Sequence, residues 1–182
     1  MNIDGSNQMK LTDGSPKNYP ALSPDGKWVL YNSTDDWRLW RISIEGGEPI
    51  PITDYPALYP SISPDGKMIA CTQRSGTKQD ASILIVAIEG GQPSKRIEFP
   101  KGGFSGAGIK WSSDSRALIY AAEIGSRTAI FKHPLVGGLP EEITSVDQDE
   151  LFSFGYSIDG QFLAVIRGAW QHDLVLISDL NR

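Results

Sequence analysis

The chain has 182 residues, 17 basic and 22 acidic, with 40% hydrophobic side chains and one cysteine, the composition of an ordinary globular protein. A net charge of -5 leaves no basic footprint for nucleic acid or anionic lipid, and the longest apolar run, Ile83 to Ile88, falls far short of the roughly 20 residues that span a bilayer. The lone Cys71 excludes an internal disulfide, and the start MNIDGSNQMK lacks the charged and apolar regions of a signal peptide.

A repeat organises the chain. Ser23-Pro24-Asp25-Gly26, Ser63-Pro64-Asp65-Gly66, Ser112-Ser113-Asp114-Ser115 and Ser157-Ile158-Asp159-Gly160 place their aspartates 40, 49 and 45 residues apart. Frequent glycine and proline punctuation with no 3.6-residue apolar periodicity makes each unit all-β, and a period in the forties is that of a four-stranded propeller blade.

In chain order, residues 1–13 read as a leading outer strand d: Ile3-Asp4-Gly5 matches a c–d turn and Met9 to Thr12 the strand. Blade repeat 1 covers 14–54, repeat 2 covers 55–100, repeat 3 covers 101–144, and repeat 4 covers 145–182 without a strand d. In each, an inner strand a carries Leu22, Ile62, Trp111 or Tyr156, and the Asp turn follows. Strand b comes next, Trp28 to Tyr31, Met68 to Cys71, Ala117 to Tyr120 and Phe162 to Val165. These nearly continuous apolar runs predict burial on both faces. Strand c aligns Leu39-Trp40, Ile83-Leu84, Ile130-Phe131 and Val175-Leu176. Glu45-Gly46-Gly47, Glu89-Gly90-Gly91 and Val136-Gly137-Gly138 then supply the positive φ of a tight turn into an outer strand such as Pro49 to Thr53 or Glu141 to Thr144.

The run YPALSPDGKWVLYNS…RLWRISIEGGEPIPIT resembles the WD-repeat-like blade of bacterial TolB-type propellers, and all four units match it, the first two closely. The resemblance covers nearly the whole chain and implies a fold more than a function. The same blade occurs in TolB itself, in peptidase propellers and in sensor regions of bacterial kinases and regulators. The Trp-Asp dipeptide of true WD repeats is absent from the four units.

The expected fold is therefore an all-β β-propeller of four four-stranded blades per chain. Its N-terminal strand d completes the C-terminal blade in the same chain or in a symmetry mate, since one leading d, three full blades and a final a-b-c make sixteen strands. A single-chain four-bladed ring, a two-chain eight-bladed ring and an open fragment all satisfy that count. The homodimer is favoured, because eight blades turn about 45° each and four would turn about 90°.

Alternating strand direction puts the Asp and Gly-Gly turns on one face. The b–c loops (Ser33 to Trp37, Gln73 to Ala81, Ala122 to Arg127, Arg167 to His172) and the d–a loops (Asp13 to Asn18, Asp54 to Leu58, Pro100 to Ala107, Ser145 to Leu151) lie on the other. Unequal loops on a rigid scaffold are where binding residues concentrate. Tyr19, Trp37, Arg38, Tyr59, Arg127, Trp170 and His172 give that face the aromatic and arginine character of interface anchors. Lys110 interrupts a column of Ala21, Ser61 and Gly155 near the axial channel and is a candidate for an anionic group, with pairing to a nearby carboxylate as the commoner role.

Other signals read as structural. The repeated aspartates are turn formers. The acidic run Asp147 to Glu150 lacks the calcium-loop pattern and reads as a solvated loop. Gly103 to Ala107 falls one residue short of a nucleophile elbow and reads as a flexible loop. His133 falls in a structural column of strand c.

The expectation is a non-catalytic scaffold without cofactor or metal that binds a protein or peptide partner through the variable face and channel mouth, and neither binds nucleic acid nor inserts in a membrane. The rivals are the gating propeller of a serine peptidase, a lyase-like propeller and a purely self-assembling ring. A complete reading frame of this kind would be cytoplasmic; one cut from a longer TolB-like or sensor protein would be periplasmic.

Overall fold

A computed structural model describes residues 4, 6, 8–74, 80–100, 102–147, 149–157 and 161–169. Blade 1 consists of β1 (Lys17–Leu22), β2 (Trp28–Ser33), β3 (Leu39–Ser43) and β4 (Ile50–Pro51). Blade 2 consists of β5 (Leu58–Ile62), β6 (Met68–Arg74), β7 (Ala81–Ala87) and β8 (Lys95–Glu98). Blade 3 is built from β9 (Phe104–Trp111), β10 (Ala117–Ile124), β11 (Arg127–Pro134) and β12 (Glu141–Asp147). These are three four-stranded antiparallel meanders, and β13 (Glu150–Tyr156) with β14 (Leu163–Gly168) forms a two-stranded sheet that begins a fourth blade. The expected last strand c, residues 173–180, lies outside the described residues.

The Asp turns are local chemistry repeated. Ser23 Oγ donates to Asp25 Oδ1 (2.6 Å), the Lys27 amide donates to the same oxygen (3.1 Å), and the Trp28 amide donates to Ser23 Oγ (2.9 Å). Ser63 and Asp65, and Ser112 and Asp114, repeat this set. The Ser hydroxyl, then the backbone amide, holds Asp25, Asp65 and Asp114 below the ordinary carboxylate range. Blade 3 has Ser115 in place of glycine and still adopts φ 60. Its hydroxyl compensates by accepting the Asp65 amide of blade 2 (3.1 Å).

The core is a series of layers between blades. Leu30, Leu39 and Ile52 of blade 1 face Ile69, Cys71, Leu84 and Val86 of blade 2. Ala70, Ile83, Ile85 and Ile97 of blade 2 meet Phe104, Ile109, Trp111, Leu118 and Tyr120 of blade 3. Ile119, Ala121 and Ile130 meet Leu151 and Phe154 of blade 4. Polar ties cross the same seams. Trp111 Nε1 donates to the Ser61 carbonyl (2.8 Å), Arg41 Nη1 to the Ile88 carbonyl (3.3 Å), and Lys95 Nζ to the Leu135 carbonyl. The c–d turn of blade 2 is drawn against the residue that follows β4, where the Gly91 amide donates to the Ile52 carbonyl (3.1 Å). A Cβ on Gly90 would stand 2.5 Å from that oxygen.

Inner strands pack in succession, β1 with β5, β5 with β9 and β9 with β13, and no packing of that extent joins β13 back to β1.

Several extents differ from expectation. Phe104 to Ala107 is not a flexible loop: it opens β9, and Phe104 and Ala107 are buried. An aromatic residue with a covered site overrides the glycine-rich composition around it. The loops expected at Ala122 to Arg127 and Ser145 to Leu151 are mostly strand, because β10 reaches Ile124, β11 starts at Arg127, β12 runs to Asp147 and β13 starts at Glu150. Expected burial on both faces of strand b holds for β10 through Ala122 but fails for β14, whose Ala164 and Ile166 are exposed. Residues 8–13, expected as a leading strand d, are in no strand, and the expected partner strand lies outside the described residues. Leu11, Thr12 and Asp13 instead border a cleft of ≈ 400 Å³ beside Tyr31, Trp40 and Pro49 on the outer side of blade 1.

Candidate functional site: an aromatic mouth on the variable-loop face

Each of the first two inner strands carries a bulge at its Tyr-Pro pair, where the register with strand b slips between Asn18 and Ala21 and between Leu58 and Ser61. The bulge turns Tyr19 (φ 52) and Tyr59 (φ 53) into the left-handed region, a sparsely populated conformation for a bulky side chain. The rings end side by side, centroids 4.3 Å apart and hydroxyls 3.3 Å apart. Tyr59 meets Phe104 edge-on at 5.1 Å, and Phe104 continues to Phe99 at 5.2 Å. In blade 3 the position equivalent to the tyrosines is Gly108 (φ 90), with open space where a side chain would be. The aromatic row therefore stops at blade 3 and leaves Tyr19, 40% exposed, at its open end.

Trp37 is the third large side chain held at positive φ (57), on the b–c loop of blade 1, and it is 46% exposed. Its amide donates to the Ser33 carbonyl (2.9 Å) and its carbonyl accepts the Ala57 amide (2.8 Å). Beneath it the fully buried Asn32 donates through Nδ2 to the Ala57 carbonyl and, at 3.4 and 3.5 Å, to the carbonyls of Arg38 and Trp37. Asn32 thus ties the b–c loop of blade 1 to the d–a loop of blade 2, two residues before Tyr59.

Among the described residues, three cations on this face are paired. Arg38 Nε lies 3.8 Å from Asp36, and Arg127 makes a forked pair with Glu142, with Nη2 2.9 Å from Oε2. That fork lowers the Glu142 carboxyl and raises Arg127. Lys17 reaches Ser33 Oγ (3.2 Å) and Asp35 (3.8 Å). Asp35 is held below the usual range first by the Ser15 hydroxyl.

Of the residues singled out from the sequence, the structure brings Tyr19 and Tyr59 together and fixes the backbone of Trp37 and Arg38 to the adjoining loop. Arg127 sits with its partner toward the outer strands of blade 3. Trp170 and His172 lie outside the described residues. Lys110 is exposed and stands near the Asp-turn end of β9, away from the tyrosines. It shares a row with Ile119 and Lys132 on the side of blade 3 that faces blade 4, in a cleft of ≈ 680 Å³ with Trp111, Asp114 and Tyr156. Phe99 and Phe104 were not singled out as binding candidates. Their contribution depends on β9 beginning earlier than its glycines suggest.

Two further reactive side chains among the described residues, His133 and Cys71, are covered by the fold. His133 Nδ1 is 3.3 Å from the Tyr120 hydroxyl, and burial, then Lys95, lowers its pKa. Burial pushes the Cys71 thiol up to about 12. Among the described residues no three His, Cys, Asp or Glu side chains gather as metal ligands, and no helix is long and apolar enough to cross a membrane.

No family model matches the chain. An uncharacterized protein of Agrobacterium fabrum is 39% identical over 57 residues, which is 30% of this chain and 20% of that protein. Among solved structures, TolB from Acinetobacter baumannii superposes with a TM-score of 0.71 at 21% identity over 90% of this chain and 41% of its own length. A protein of Agrobacterium tumefaciens assigned as TolB gives 0.67 at 23% identity over 83% and 53%. The hydrazine synthase of Kuenenia stuttgartiensis gives 0.62 at 15% identity over 79% of this chain and 47% of that one. The chain thus has the TolB-like β-propeller fold and spans about half the length of these structures. An enzyme among them shows that the scaffold does not dictate function.

Proposed function

We propose that the chain is a non-catalytic TolB-like propeller scaffold that takes a protein or peptide segment on its variable-loop face, at the mouth formed by Tyr19, Tyr59 and Trp37. One observation carries this reading: three large aromatic residues are held in the left-handed region on that face, two of them in mutual contact. Strain of this kind costs about 1–3 kcal/mol per residue and concentrates at binding sites. Tyrosine and tryptophan offer broad contact area at low entropic cost. The scaffold assignment is further supported by the roles of the titratable groups, with the aspartates holding turns, His133 against Tyr120 and Cys71 sealed between blades.

A second docking face is favoured by a separate observation. The c–d turn of blade 3 presents Val136 and Leu139, 93% and 86% exposed, where blades 1 and 2 have Glu45 with Glu48 and Glu89 with Gln92. An apolar cleft of ≈ 700 Å³ lined by Met68, Ile85, Pro134 and Leu135 adjoins it.

Selection of peptides from a display library on the immobilised chain separates the two. On the first reading, Trp37→Ala and Tyr19→Ala weaken the selected peptides at least tenfold, while Val136→Ser with Leu139→Ser leaves them unchanged. The reverse pattern assigns binding to the blade 3 turn and refutes the aromatic mouth.

A further inference from the structure

The seam between blades 1 and 2 and the seam between blades 2 and 3 differ beside the c–d turn of the later blade. In the first seam that place is filled. Arg41 lies over the Trp28 ring, 4.7 Å from its centroid, and its Nη1 donates to the Ile88 carbonyl at the c–d turn of blade 2. The turn is closed as well, with the Gly90 amide donating to the Ala87 carbonyl (2.9 Å) and the Gly91 amide to the Ile52 carbonyl (3.1 Å).

In the second seam, alignment of the Asp turns and of the b–c registers puts Met68 where Trp28 stands and Ile85 where Arg41 stands. Both side chains are smaller than their counterparts. The cation arrives by another route: Lys95 Nζ donates to the Leu135 carbonyl, the counterpart of Ile88. Among the described residues no backbone bonds match those of Gly90 and Gly91 at Gly137 and Gly138, and a Cβ on Gly137 would meet nothing within 4 Å. What results is the ≈ 700 Å³ cleft floored by Met68 and Ile85. One seam thus holds a ring beneath a cation, whereas the other holds the cation and an apolar floor without the ring.

The charges around the cleft are of one sign. Lys95 and Arg116 line it, no carboxylate does, and neither cation makes an ion pair among the described residues. On a chain of net charge -5 this is a local positive excess, complementary to an acidic group. At its edge stands Val136, 93% exposed, where blade 2 has Glu89.

We infer that the cleft between blades 2 and 3 takes an aromatic side chain, an indole above all, from a peptide that carries a carboxylate next to that ring. The ring lies on Met68 and Ile85 beneath the Lys95 ammonium, and the carboxylate turns toward Arg116. Cation–π attraction and thioether–aromatic contact favour a ring over an aliphatic chain of similar area. This gives the blade 3 docking face its partner chemistry and rests on that second reading, not on the aromatic mouth.

The test is an amide NMR titration of the full chain with N-acetyl-L-tryptophan, which joins an indole to a carboxylate. Shifts are expected at Ile85, Lys95, Leu135 and Val136 with a Kd of about 1 mM, the scale of a ligand this small. N-acetyl-L-leucine should bind about tenfold more weakly for want of a ring, and the amide of N-acetyl-L-tryptophan about threefold more weakly for want of the charge. Met68→Trp supplies from within the ring that blade 1 carries and should abolish the shifts. Lys95→Gln keeps a donor for Leu135, removes the charge and should weaken binding several-fold. A titration that moves no cleft resonance overturns the inference, as does equal affinity for the tryptophan and leucine derivatives or for the acid and its amide. A folded Met68→Trp that binds like the wild type also overturns it; if that variant does not fold, undiminished affinity in Lys95→Gln does so. Selected peptides that depend on Val136 and Leu139 while the cleft ignores the indole would overturn the aromatic occupant and keep the docking face. The converse, shifted cleft resonances with peptides indifferent to Val136 and Leu139, would support the occupant and count against the docking face.

Discussion

Gly90 and Gly91 offer a matched pair of substitutions that isolates one seam between blades. Both adopt positive φ, 96° and 104°, so alanine at either position carries the backbone strain of a left-handed L-residue, about 1–2 kcal/mol. Only at Gly90 does the new Cβ meet anything: the Ile52 carbonyl oxygen at 2.5 Å, where Gly91 has open space. The c–d turn must then lift from the residue that follows β4, and the 3.1 Å bond from the Gly91 amide to Ile52 is lost with it. That bond contributes about 1 kcal/mol, more if the carbonyl stays buried without a partner. Gly90→Ala should therefore destabilise by about 2–4 kcal/mol and Gly91→Ala by about half of that. In thermal unfolding the gap corresponds to about 4 °C for a chain of this size. Urea unfolding with a common m-value measures it directly. Equal losses for the two variants would refute the seam contact as the cause.

Acid should loosen the fold in two windows. Because the folded state depresses the His133 pKa, the unfolded chain binds the proton more readily as pH falls through the ordinary value of 6.5, so stability drops there, and His133→Phe should flatten that part of a melting curve measured against pH. Asp25, Asp65 and Asp114 are also depressed in the fold, so their contribution is complete above 3.8 and lost below it as the folded carboxylates protonate. Asp65→Asn should shrink this lower step. Chelators should leave the melting temperature unchanged, and a fall of several degrees would reveal a structural metal.

The Asp turns and Gly-Gly turns were legible in the sequence because their chemistry is local: a Ser and an Asp two residues apart satisfy one another in each of the three turns. Repetition then made the blades countable. The tyrosine conformations were not legible, since positive φ is read from glycine or asparagine and Tyr19 and Tyr59 adopt it only because bulges in the inner strands impose it. The polar ties between blades were hidden for another reason. Arg41 donates from a strand c and Lys95 from a strand d, yet each reaches the carbonyl of the same turn position in the next blade. The geometry repeats and the column does not. Phe104 was misread because four nearby glycines outweigh one aromatic residue in a local reading, whereas in space Tyr59 and Phe99 cover it.

Cys71, sealed between the first two blades among Leu30, Leu39 and Leu84, equips the molecule with a clock for its own breathing. A thiol in that position reacts with a bulky electrophile only when the seam parts, and with its pKa near 12 it gains almost no reactivity until it does. The labelling rate under native conditions therefore reports the opening frequency of that one seam, with no engineered probe. Comparing it with the rate in urea would tell whether the blades separate one at a time, as stacked repeats do, or only when the whole chain unfolds.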